Sequence, residues 1–241
     1  MKFKLIFVLI VSILSCKGTP KKVTCNLNQL EELQRKLQIE YTENPQKATE
    51  TLREIISVQK CGQVDFHRLG QSYLNMGSVF DEKISNLDSA IFYLNKALDI
   101  YELHDESLEV ANINKYAGLL KAKRGSKLGL QDIDEAIKIY TDLDHLDGLY
   151  VSYSNKLRAQ IFLNDTTGVG KLFDTCLRYW DLKNNVVRLN ILVKIQFQYC
   201  LDNTDCDCYK RLKERVRSIE NLIEINNLEI ENRQFLEDCL S

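Results

Sequence analysis

The sequence predicts an all-α chain built as a stack of antiparallel helix pairs, and three observations carry that expectation. A helical segment recurs about every 40 residues, at 94–101, 133–140 and 173–180, with Ala97, Ala136 and Cys176 in register at offsets of 39 and 40. Each copy sets a small residue four positions before a large aromatic (Tyr101, Tyr140 or Trp180), so both share one helix face. The 241-residue chain has only 2 prolines, Pro20 and Pro45, and neither alternating strands nor a glycine-rich phosphate loop. A fixed period of this length belongs to solenoids, whose units pack on their neighbours and whose surfaces hold other molecules.

Residues 1–15 read as an export signal. Lys2 and Lys4 precede an apolar run from Leu5 to Leu14, too short to span a bilayer. The string Ile13-Leu14-Ser15-Cys16 resembles the lipobox of bacterial lipoproteins. That resemblance implies cleavage before Cys16, acylation of its new amino terminus with palmitate-type chains, and a short tether over 16–26. Lys17 stands where the family carries an aspartate for inner-membrane retention, which favours an outer-membrane anchor on either face. An ordinary cleaved signal with a chance cysteine is the other reading. Cleavage removes two of the 32 basic residues and none of the 34 acidic ones, leaving a net charge of −4. So mild a balance shows no bias toward nucleic acid or anionic membrane.

The helices follow in pairs. A degenerate pair covers 27–42 and 45–58, with Ala48, Leu52 and Ile56 on one face. The first helices of the next three pairs span 64–79, 107–124 and 147–163, and the second helices 87–102, 129–143 and 167–181. In the first helices Leu69-Gly70, Val110-Ala111 and Val151-Ser152 align 41 residues apart, as do Asn114-Lys115 and Asn155-Lys156. A small residue beside a large one lets two helices approach while its neighbour fills the adjoining groove. Residues 185–200 begin a fifth pair, and 207–237 carry the longest uninterrupted helical pattern. Leu212, Val216, Ile219, Ile223 and Ile230 form a seam there, with Asn226 in one seam position. Two readings fit: a capping helix on the last repeat, or a short coiled coil making a homodimer.

Leu69-Gly70-Gln71-Ser72-Tyr73 followed by Ala90, Leu94 and Ala97 resembles the tetratricopeptide repeat family, as do Gly129, Ile133, Ala136 and Gly168, Leu172, Cys176. The resemblance covers 64–182. It implies a right-handed solenoid over 27–206, about four to five helix pairs, closed by a C-terminal helix in 207–241. The period exceeds the family's usual 34, so the helices must be longer than typical, and the closing proline is absent. The family binds ligands on a concave face lined by first helices. Carried over by position, the groove residues are Gln71 and Leu74, Asn112 and Lys115, and Tyr153 and Lys156. Lysines and amides there suit the carboxylates and main-chain groups of a peptide.

The remaining polar chemistry points to structure. With Cys16 assigned to lipid, seven of the 8 cysteines remain. An exported chain favours disulfides. Cys25 and Cys61 bracket the first pair, and Cys200, Cys206, Cys208 and Cys239 make either two bridges of undetermined connectivity or a zinc site of unfamiliar spacing. Cys176 replaces Ala97 and Ala136 at a core position and reads as a buried free thiol. Asp202, Asp205 and Asp207 lack the glycine and distal glutamate of a calcium loop. His67, His104 and His145 lie in different repeats, and no nucleophile elbow or carboxylate pair stands out. The basic run 210–217 reads as the polar side of a helix rather than a nucleic-acid site. The expected function is therefore a non-enzymatic, cofactor-free, lipid-anchored scaffold that binds a protein or peptide. The alternatives are a toxin-neutralising immunity protein and a periplasmic small-ligand sensor.

Overall fold

A computed structural model of the chain describes residues 27–61, 65–165, 167–183, 186–216 and 232–240. These residues are helical, with no strand among them. The elements are α1 (Leu27–Glu43), α2 (Pro45–Cys61), α3 (Phe66–Ser78), α4 (Leu87–Leu103), α5 (Ser107–Lys123) and α6 (Leu128–Asp142). They continue as α7 (Leu146–Phe162), α8 (Val169–Lys183), α9 (Val186–Asp202), α10 (Cys206–Val216) and α11 (Arg233–Leu240). Successive helices pack as antiparallel neighbours, and α5 also packs on α7, the first helix of the next pair. The signal and tether, with Cys16 and Cys25, lie outside the described residues.

The period sets the core. Ala97, Ala136 and Cys176 are fully buried, as are Tyr101 and Tyr140 four residues on. The small position admits the neighbouring helix and the tyrosine fills the space beyond it. Each tyrosine lies on a glycine of a first helix: a Cβ on Gly70 would sit 2.6 Å from the Tyr101 ring, and one on Gly148 would overlap Tyr140. The closest approach is between α5 and α6. A Cβ on Gly118 would come 2.6 Å from the Gly129 carbonyl oxygen, and one on Gly129 would overlap the Gly118 carbonyl. Here two backbones meet with no side chain between them, which only glycine allows.

The turns share one design. Asp105, Gly125, Asp144, Asn164 and Thr204 adopt positive φ between 49° and 90° just past helix ends. In each case the next residue donates its N–H back to a carbonyl five residues earlier: Glu106 to Tyr101, Ser126 to Lys121, His145 to Tyr140, Asp165 to Gln160 and Asp205 to Cys200. This is the left-handed helix stop that satisfies orphan carbonyls. Side-chain acceptors then start the next helix, as when Asp65 Oδ1 accepts from Arg68 N and His145 Nδ1 from Gly148 N.

One first helix departs from the plain pattern. At its end α3 runs into a single π-helical turn, Val79–Lys83, closed by Ile84 N donating to Val79 O. The extra residue re-aims the two carboxylates that follow Phe80, so that Glu82 accepts from Tyr41 of α1 and Asp81 from Tyr116 of α5.

The C-terminal segment corrects the expectation of one continuous helix over 207–237. Cys206 and Cys239 form a disulfide with their Cα atoms 5.0 Å apart. A straight helix of that length would hold its ends tens of ångströms apart at 1.5 Å per residue. One straight helix over that range is therefore excluded, and Cys239 of α11 lies beside Cys206 at the start of α10. A second disulfide joins Cys200 to Cys208, which fixes the pairing that spacing alone left open and leaves no thiolates there for zinc. Of the seam, Leu212 and Val216 are buried with Phe197 and Tyr209 in this chain's own core, with Phe235 packed against them. Ile219, Ile223, Asn226 and Ile230 lie outside the described residues. Cys176 is a buried free thiol, pushed up to about 12 by burial. Cys61 is disulfide-bonded.

Candidate functional site

The first helices α5 and α7 pack side by side, α3 shares a core with α5, and all three carry the polar positions singled out from the sequence. Gln71 is exposed on α3 and donates to Asn75 Oδ1 at 3.0 Å. Leu74 is half-buried and packs against the core. Tyr153 is likewise half-buried against core side chains. Among these six positions only Asn112 and Lys115 are brought together. Lys115 Nζ donates to Asn112 Oδ1 at 2.5 Å and to Tyr140 Oη at 2.8 Å, and Tyr140 in turn donates to Asn112 Oδ1 at 2.7 Å.

That triangle makes Lys115 and Lys156 unequal, although they stand 41 residues apart in register. Desolvation lowers the Lys115 pKa, opposed by the nearby Glu109 carboxylate. Glu109 itself has one buried oxygen without a hydrogen-bond partner. Lys156 reaches across to Asp134 of α6 at 2.6 Å. Charge reversal at Lys115 would set a half-buried carboxylate beside Glu109 and strip Tyr140 of its donor, so it disturbs folding as well as surface. Reversal at Lys156 removes a surface pair and little else.

Register reasoning missed a second polar group further along the same helices. Tyr116 Oη donates to Asp81 Oδ2 at 2.7 Å, and Lys123 Nζ lies 4.0 Å from Asp81 Oδ1. Burial, then the Asp81 bond and charge, push the Tyr116 phenol well above its ordinary value. Arg158 is exposed on α7, and Asp81 opposes the desolvation that lowers its guanidinium pKa. A signal for this group was available: residues 76, 117 and 158 share one register, where Met76 and Ala117 are buried and the third copy is an arginine. Asn155 ties the rows together by donating to the Lys115 carbonyl oxygen at 3.1 Å.

Between α7 and α8 lies a shallow depression of about 230 Å³, lined by Lys156, Gln160 and Lys171 among others. Gln160 donates to Thr167 O at 2.8 Å, while its own Oε1 is buried without a partner. Among the described residues no three His, Cys, Asp or Glu side chains are grouped to hold a metal ion. No described helix is long and apolar enough to cross a membrane.

Comparison with known proteins bears on the fold. No protein-family model matches the chain, and no curated protein matches it. Its structure is similar to the crystal structure of aspartyl phosphate phosphatase F from Bacillus subtilis, with a TM-score of 0.64 and 14% sequence identity. The likeness covers 88% of this chain and 55% of that one, so this chain spans about half the length of the solved structure. The described residues thus form an all-helical, tetratricopeptide-like solenoid. At this identity the likeness speaks to fold, and the relative's named activity stays with the relative.

Proposed function

We propose that the chain is a lipid-anchored protein of a bacterial cell envelope whose first-helix groove receives a segment of a protein partner, without catalysing a reaction. The observation that carries the binding half is the rail of polar side chains pre-positioned across α3, α5 and α7. Asp81–Tyr116, Asn155–Lys115 and Asn112–Lys115–Tyr140 are each held by hydrogen bonds from neighbouring helices. Groups already ordered lose little freedom on binding an extended chain, whose main-chain amides and carboxylates they match. The envelope half rests on the sequence up to Cys16 and on two disulfides, which persist in oxidising compartments. Several acyl chains would anchor firmly, at about 0.8 kcal/mol per buried methylene.

Two measurements test the halves separately. Wild-type chain and a Lys156→Glu/Arg158→Glu variant are immobilised and exposed to envelope extract at low and moderate salt. The groove reading expects a protein retained by the wild type and lost from the variant, with equal thermal stability. Equal retention by both moves the interaction off the groove. Independently, a fatty-acid probe should label the wild type and leave Cys16→Ser unlabelled. Equal labelling removes the anchor.

A further inference from the structure

One edge of the stack combines acidic helix connections with exposed leucines. The connection from α4 into α5, residues 102–109, carries Glu102, Asp105, Glu106 and Glu109 and no lysine or arginine. The connection from α6 into α7, residues 141–147, carries Asp142, Asp144 and Asp147 and again no lysine or arginine. Both lie on the same edge as the start of α3. Phe66 stacks on His104 at 3.8 Å, and the charges of Glu109, Glu106 and Asp65 add to burial in raising the Tyr101 phenol to about 12. Glu109 also adds to burial in raising the Tyr140 phenol at the end of α6, so its charge is felt in the next unit.

Glu109 faces Lys115 from this edge. Among the described residues no ion pair engages Glu102, Asp105, Glu106, Asp142 or Asp144. On the opposite edge the connection where α5 passes into α6 is basic, yet three of its cations are met within the chain. Lys121 pairs with Asp132 at 2.7 Å, Arg124 with Asp88, and Lys123 approaches Asp81 at 4.0 Å. That basic connection of a second copy therefore offers few free cations to the acidic edge, which favours a cationic partner of another kind.

Apolar surface sits inside the acidic field. Leu103 is 78% exposed at the end of α4, Leu108 is 40% exposed in the first turn of α5, and Leu143 is 49% exposed just past α6. A single exposed leucine needs no explanation, but three on adjoining helix ends form a patch. Helix axes about 8–10 Å apart set such side chains at the spacing of positions i and i+7 on a partner helix, about 10.5 Å. We propose that this edge docks a cationic amphipathic helix of a protein partner, its apolar stripe on Leu103, Leu108 and Leu143 and its lysines or arginines toward the flanking carboxylates. The surface is distinct from the groove and does not depend on the groove's having a ligand.

The test uses the full chain in detergent and two synthetic helical peptides with one leucine pattern, the polar positions being all lysine in one and all glutamate in the other. The leucine–lysine peptide should bind the wild type at least about tenfold more tightly, with affinity falling as salt rises. Asp105→Asn/Glu106→Gln/Asp144→Asn should weaken it at least about fivefold and flatten the salt dependence; asparagine tolerates the positive φ at 105 and 144. Leu103→Ser/Leu143→Ser should weaken it at least about fivefold at low and high salt alike. Lys156→Glu, in the groove, should leave binding unchanged. Absence of binding, equal binding of the two peptides, or equal affinity in wild type and both edge variants would overturn the proposal. So would a concentration-dependent oligomer in sedimentation that both edge variants abolish, since the occupant would then be a second copy.

Discussion

The middle of the stack and its C-terminal end solve the same packing problem by different means. Across α3 to α6 the helices are brought together by small residues in register, down to the carbonyl contacts at Gly118 and Gly129. Across α9 to α11 no such glycine contact is found among the described residues, and two disulfides, Cys200–Cys208 and Cys206–Cys239, hold the elements instead. A middle unit is buttressed from both sides, so close packing suffices. In the C-terminal unit covalent bonds take over part of what close packing does in the middle.

The largest effect should come from breaking the middle. Gly129→Val places a branched side chain against the Gly118 backbone, which cannot move aside as a side-chain tip could. A loss on the order of 4 kcal/mol is expected in denaturant unfolding. A change below about 1 kcal/mol would show that α5 and α6 can separate freely.

Register is why the middle was legible. The 107–124 and 147–163 expectations match Ser107–Lys123 and Leu146–Phe162 to within a residue, because Val110-Ala111 and Val151-Ser152 repeat at a fixed interval. The C-terminal departure from one straight helix was not legible, since Leu212, Val216, Ile219 and Ile223 keep helical spacing whether or not the chain later turns. Only the Cys206–Cys239 bond reveals it. The groove was read in part. Position in the repeat located Asn112 and Lys115, but periodicity carries no information on whether a lysine is free or, like Lys115, claimed by Tyr140 from the next helix.

The next effect should come from breaking the end. Cys206→Ser with Cys239→Ser opens a span of 33 residues, for which chain entropy alone predicts a loss of about 3–4 kcal/mol. In a stack whose units contact only neighbours, that loss should stay local. Hydrogen exchange should show α10 and α11 losing protection while α4 and α5 keep theirs. Uniform loss along the chain would mean the end cap governs the whole stack.

Alkaline pH should strike the other region. Tyr101 is raised to about 12, by burial first and then by Glu109, Glu106 and Asp65, and Tyr41 to about 12, by burial first and then by Glu82. An unfolded tyrosine ionises near pH 10. Between pH 10 and about 12 the folded chain therefore holds protons that the unfolded chain has released, and stability falls as pH rises. Tyr101→Phe should shallow that slope without altering stability's pH dependence below pH 9. An unchanged slope would locate the alkaline sensitivity elsewhere.

The smallest effect sharpens the comparison at the level of a single turn. The stops after α4 and α6 use Asp105 and Asp144 at positive φ, whereas the stop after α9 uses Thr204 at φ 49°. Aspartate reaches this region readily, but a β-branched side chain crowds its own backbone there, at about 1–2 kcal/mol. Thr204 precedes the residue whose side chain starts α10, since Asp205 Oδ1 accepts from Cys208 N at 2.8 Å. The turn must therefore keep its shape for the cap and for the Cys200–Cys208 bond to form together. Thr204→Asn should raise stability by about 1 kcal/mol, read as a rise in the denaturant midpoint at constant slope. Asp144→Asn, already at a tolerant position, should change it far less. Equal gains would show that the C-terminal turn is no more strained than the central ones. The disulfides would then secure a unit whose backbone is as well formed as the middle, and its difference would lie in covalent bonds standing where the middle uses glycine contacts.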